Sequence, residues 1–68
     1  MNEQSKQEAQ KILMSLLGDI RMLKNNSKRS RETRDPEEDA NIVVDDDRTL
    51  STMRNRLDEL EKLKNQLG

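Results

Sequence analysis

The apolar residues of this chain fall into two blocks of helical period, separated by a polar stretch. In the first block Ala9, Ile12, Leu13, Leu16, Leu17, Ile20 and Leu23 recur at steps of three and four residues. That spacing makes one wide stripe on an α-helix, as expected of a helix that packs on more than one neighbour. Ser5-Lys6-Gln7-Glu8 fits the Ser-x-x-Glu capping box just before the stripe, and Asn25-Asn26 offers a stop after it. The pattern predicts an amphipathic helix over 5–26, preceded by a disordered 1–4. Gly18 costs this helix about 1 kcal/mol relative to Ala, which a closely approaching neighbour helix can offset.

The second block predicts a coiled-coil helix over 47–68. Leu50, Met53, Leu57, Leu60 and Leu67 fit heptad positions a, d, a, d and d, with Lys64 at the intervening a. Arg56 and Glu61 fall at g and the following e, a complementary register pair for a parallel coiled coil. Leu63 at g widens the seam. Asp45, Asp46 or Asp47 can cap the helix, where negative charge is favoured.

Residues 27–46 read as a charged, mostly disordered linker. Two features keep other readings open. Asp35-Pro36-Glu37-Glu38 is a helix-start signal, with Pro at the first helical position and acids in the first turn. β-branched Ile42-Val43-Val44 then favours extended structure. Val43 nevertheless lies seven residues before Leu50, so one long second helix from Pro36 is the alternative. A helical hairpin within one chain is a further option, because the linker is long enough to reverse direction.

Composition narrows the function. The 68 residues contain no aromatic residue, no Cys and no His. Disulfides, thiolate or imidazole metal sites and a base that titrates near neutrality are thereby absent. Chains this short rarely bury enough apolar surface to fold alone, and the largest core-filling side chains are missing. Charged residues make up 40% of the chain, yet the net charge is only −1. The balance hides a basic cluster of Lys24, Lys28, Arg29, Arg31 and Arg34 followed by an acidic run from Asp35 to Asp47. No apolar run approaches a membrane span, so the expectation is a soluble intracellular protein, in nucleus or cytoplasm.

Several short strings suggest partners. Leu13-Met14-Ser15-Leu16-Leu17 resembles the LxxLL string of coactivator helices, which seats three leucines in a groove; Leu-rich amphipathic helices also produce it. Leu13, Leu17, Ile20 and Met22 fit the spacing of a leucine-rich nuclear export signal. Ile42-Val43-Val44 before Asp45-Asp46-Asp47 resembles a SUMO-interacting motif, which adds a strand to a sheet edge; its fourth aliphatic position is missing. Lys28 to Arg34 is a basic patch with Ser30 and Thr33 as candidate phosphosites. Without aromatics to stack bases, and beside a run of acids, it is not expected to bind nucleic acid. A membrane surface is likewise not expected, because the first block lacks Trp and Phe.

The expected fold class is all-α: two amphipathic helices joined by a flexible charged linker, assembling as a coiled coil or helical bundle with itself or a partner. The expected function is non-enzymatic, a small oligomerisation or adaptor subunit acting through helix–helix packing, with no cofactor, metal or small-molecule substrate. Its partner-binding residues are Ile12, Leu13, Leu16, Leu17, Ile20 and Leu23, then Leu50, Met53, Leu57, Leu60 and Leu67. The alternative is a largely disordered inhibitor or transcription cofactor that folds on its target through the first helix.

Overall fold

The computed structural model describes residues 3–67 and contains two helices, α1 (Glu3–Glu32) and α2 (Pro36–Leu67). They pack antiparallel as a hairpin about 50 Å long and 15 × 13 Å in section. Every described residue outside 33–35 is helical. The segment expected as a linker over 27–46 is therefore mostly helix, and the long second helix from Pro36 is the form adopted.

Local chemistry explains the short turn. Asp35 caps α2: its Oδ1 accepts the Glu37 amide at 3.0 Å, and its carbonyl accepts the Asp39 amide at 3.0 Å. Pro36 takes the first helical position, where its missing N–H costs nothing. Thr33 holds the other side, its amide donating to the Arg29 carbonyl at 2.9 Å and its Oγ1 accepting the Asp35 amide at 3.2 Å. A connection this short forces adjacent antiparallel packing.

Several sequence expectations yield to packing. Helix α1 starts at Glu3, so Ser5 lies inside it, half-buried, and is not its cap. Residues 1–2 lie outside the described part of the chain. Asn25-Asn26 does not end α1, because Asn26 is buried and held by side chains of α2. Ile42-Val43-Val44 is helical: the small helix-propensity deficit of β-branched residues is overridden by Ile42, only 4% exposed in the interface. Gly18 has open space around it, with nothing within 4 Å of an added Cβ, so the hairpin does not use it for close approach.

The covered positions follow a heptad spacing on both helices. On α1 they are Ser5, Ala9, Ile12, Leu16, Asp19, Leu23, Asn26 and Ser30. On α2 the line runs through Ile42, Thr49, Arg56 and Leu63, flanked by Asp45, Asp46, Thr52, Met53 and Leu60. The α2 line lies one residue ahead of Leu50 and Leu57, the positions that the leucine pattern alone puts at the centre of a seam.

Candidate functional site

Polar layers dominate the interior of the hairpin. Asp19, 9% exposed, makes a salt bridge with Nη1 of Arg56, and the same Nη1 donates to the Ser15 carbonyl at 3.4 Å. Asn26, 6% exposed, donates through Nδ2 to Asp45 Oδ2 at 3.0 Å and Asp46 Oδ1 at 2.8 Å, while its Oδ1 accepts from Arg29 at 3.4 Å. Ser30 Oγ donates to Asp39 Oδ1 at 2.5 Å, and Thr33 Oγ1 to Glu38 Oε2 at 3.1 Å. Arg29 also reaches Glu38 at 3.4 Å, across the surface. Thr49 turns its buried hydroxyl back onto the Asp45 carbonyl at 3.0 Å. Among the described residues no buried side-chain nitrogen or oxygen lacks a partner. These directional pairs set the register of α1 against α2, which interchangeable leucines would leave loose.

Among the described residues, Leu16, Ile42 and Leu63 are the buried hydrophobics, with Ala9, Ile12, Leu23, Met53 and Leu60 half-buried beside them. Many large apolar side chains stay outside: Leu13, Leu17 and Ile20 on α1 are 53%, 41% and 52% exposed, and Val43, Leu50 and Leu57 on α2 are 63%, 50% and 52% exposed. Met14, Met22 and Val44 are exposed as well.

Leu13, Ile20 and, more obliquely, Leu17 follow the covered line of α1 by about one position, as Val43, Leu50 and Leu57 follow that of α2. One position is about 100° around a right-handed helix. Because the helices run in opposite directions, the same rotation carries both stripes to one side of the hairpin. Half-buried Met53 and Leu60 bridge that side to the interior. An open groove of about 490 Å³, lined by Ala9, Leu57, Leu60, Glu61, Leu63 and Lys64, marks one end of it. A second depression, lined by Val43, Val44, Asp46, Asp47 and Leu50, marks the other. The opposite side carries the residues one position before the covered lines: Glu8, Ser15, Met22 and Arg29, then Asn41, Arg48, Asn55 and Lys62. It is polar except for Met22. The hairpin is itself amphipathic at the level of the whole molecule.

The expected partner-binding residues divide between these two environments. Leu16 is buried in the hairpin, Ile12, Leu23, Met53 and Leu60 are half-buried, and Leu13, Leu17, Ile20, Leu50 and Leu57 are exposed. The side chain of Leu67 lies outside the described residues. Arg56 sits between the helices against Asp19, whereas Glu61 is exposed on the groove rim. The LxxLL leucines are split, Leu16 facing inward and Leu13 and Leu17 outward. Strand addition by Ile42-Val43-Val44 would require this turn of α2 to unwind and Ile42 to leave the interface. The inward polar residues Asp19, Asn26 and Thr49 are ones that the leucine pattern does not single out. Their signal was positional: Asp19 and Asn26 continue the three- and four-residue spacing of Ile12, Leu16 and Leu23, and Thr49 lies seven residues after Ile42 and four before Met53.

Among the described residues, no group of three or more Asp or Glu is arranged to hold a metal ion, and no helix is long and apolar enough to cross a membrane. The chain matches no protein-family model, no curated protein sequence and no solved structure. What defines it is its class of architecture, an antiparallel helical hairpin with a polar interior and one uncovered apolar side.

Proposed function

We propose that this chain is a protein–protein interaction module, an oligomerisation or adaptor subunit that works by burying the apolar side of its hairpin against another helical surface. The observation that carries this reading is the uncovered apolar side. Among the described residues, six large aliphatic side chains stand 41–63% exposed together on one side of the hairpin. Contiguous apolar surface rimmed by charge marks an interaction site. The spacing of the exposed residues, i, i+4 and i+7 along α1 and i, i+7 and i+14 along α2, suits helical partners. The chemistry is non-enzymatic in this reading, because the sequence offers no His or Cys to serve as base or nucleophile. The disordered-cofactor alternative requires the hairpin to open before Leu13, Leu16 and Leu17 can act together.

The test is cross-linking of the intact tagged chain in its native cells, compared with a Leu17→Lys/Leu57→Lys variant. Both positions lie on the exposed side, so the hairpin interior is untouched. Loss of the cross-linked species in the variant supports the reading. An unchanged set of species overturns it.

A further inference from the structure

We infer that the apolar side is covered by a second copy of this chain, forming a four-helix bundle in which α1 of each copy lies on α2 of the other and both turns sit at the same end. This inference rests on the proposed function and adds the occupant, the orientation and the register.

Three observations lead to it. First, the two helices carry opposite charge: α1 has seven basic against four acidic side chains, and α2 has five basic against nine acidic. Packing α1 on α2 of a second copy sets basic against acidic, whereas α1 on α1 and α2 on α2 sets like against like. Second, the apolar residues of α1 and α2 are level with each other. The pairs Asn26 with Asp45 and Asp46, and Asp19 with Arg56, fix the heights of the helices. Leu13, Leu17 and Ile20 thus stand level with Leu60, Leu57, Met53 and Leu50. Rotation by a half-turn about the long axis of the hairpin preserves height, so these groups meet across the interface. Third, the rim is complementary at the same heights. Lys24 lies near the level of Asp46 and Asp47, so each copy offers a cation to the acids of the other.

The interior gives an independent reason for an occupant. Three buried and five half-buried aliphatics make a small core for 65 described residues, and small domains without disulfide or metal commonly gain their remaining burial by oligomerisation. A twofold dimer is the commonest closed assembly, and it uses one patch twice.

The experiment is sedimentation equilibrium of the full chain over a wide concentration range, combined with site-directed cross-linking. The wild type is expected to form a dimer. Arg34→Cys introduces a single thiol in the exposed turn of a chain that has none. A short bis-maleimide should join two such chains in high yield if the turns share an end, and fail if they lie a hairpin length, 50 Å, apart. Lys24→Glu should weaken the dimer by about fivefold, and Asp47→Lys added to it should restore the affinity. This swap leaves the leucines in place and does not depend on the folding of a disrupted variant. A wild type that is monomeric at every concentration overturns the second copy while the broader reading keeps its own cross-linking test in cells. A dimer whose Arg34→Cys form does not cross-link overturns the orientation. A dimer that survives Leu17→Lys/Leu57→Lys does not use the apolar side and overturns this inference, while the broader reading again keeps its own test in cells.

Discussion

Asp19 and Arg56 show how a charged pair can occupy a position that the heptad spacing reserves for apolar residues. The Asp19 side chain is 12% exposed and that of Arg56 32%, so the pair is only partly withdrawn from water. Its value is directional, since it forms at one register of the helices. Asp19→Ala leaves Arg56 without its carboxylate and is expected to lower stability by about 1–3 kcal/mol in urea denaturation. Replacing both partners with Leu is expected to recover most of that loss, because a buried pair is often matched by well-packed apolar residues. Ser30 is a second sensitive point, donating to Asp39 at 2.5 Å with Glu38 one position away. Ser30→Glu sets a carboxylate against Asp39. We expect it to destabilise the hairpin by about 1 kcal/mol, read from the thermal unfolding midpoint. A phosphate there would act in the same direction with more charge.

At the scale of the elements, the two helices are stabilised differently along their length. Near the turn, Arg29, Ser30, Thr33, Glu38, Asp39 and the Asp35 cap make a network of short polar contacts. Towards the open end, Leu16 and Leu63 are buried, with Ala9, Ile12 and Leu60 half-buried. The polar end is held by directional contacts, whereas the apolar end leaves Leu13, Leu17 and Leu57 53%, 41% and 52% exposed. Gly18 serves no packing purpose in the hairpin and faces away from both the interior and the apolar side. Gly18→Ala is therefore expected to stabilise α1 by up to about 1 kcal/mol, seen as a higher thermal midpoint by circular dichroism. An unchanged or lower midpoint would show that another surface approaches the helix at Gly18.

At the scale of the whole molecule, one thin layer of two helices cannot enclose a core. Among the described residues its interior line is shared between three buried aliphatics, five half-buried ones and a series of polar side chains, and six large aliphatic side chains face out on one side. In the proposed assembly, association completes this burial and couples folding to assembly. Stability should then depend on mass action: the thermal midpoint is expected to rise with protein concentration, in differential scanning calorimetry or circular dichroism. A midpoint independent of concentration would mean that the hairpin is stable with its apolar side bare.

The all-helical class and the two amphipathic segments were legible in the sequence, because three- and four-residue spacing of Leu, Ile and Met is a local property of the chain. The start of the second helix was signalled in Asp35-Pro36-Glu37-Glu38, but only as the alternative to a helix from 47, because β-branched Ile42-Val43-Val44 and the dense charge of 27–46 argued against it. That contest turned on Ile42 and Asn26, whose partners lie on the other helix and cannot be seen from local spacing. Only the tertiary structure decided which part of each wide apolar stripe faces inward. A stripe that spans two neighbours has two possible centre lines, one residue apart, and leucines fit either. The polar side chains settle it: Asp19 finds Arg56, and Asn26 finds Asp45 and Asp46, at one register of an antiparallel pair. With those pairs inside, Leu13, Leu17, Ile20, Val43, Leu50 and Leu57 are left outside, all on the same side of the hairpin.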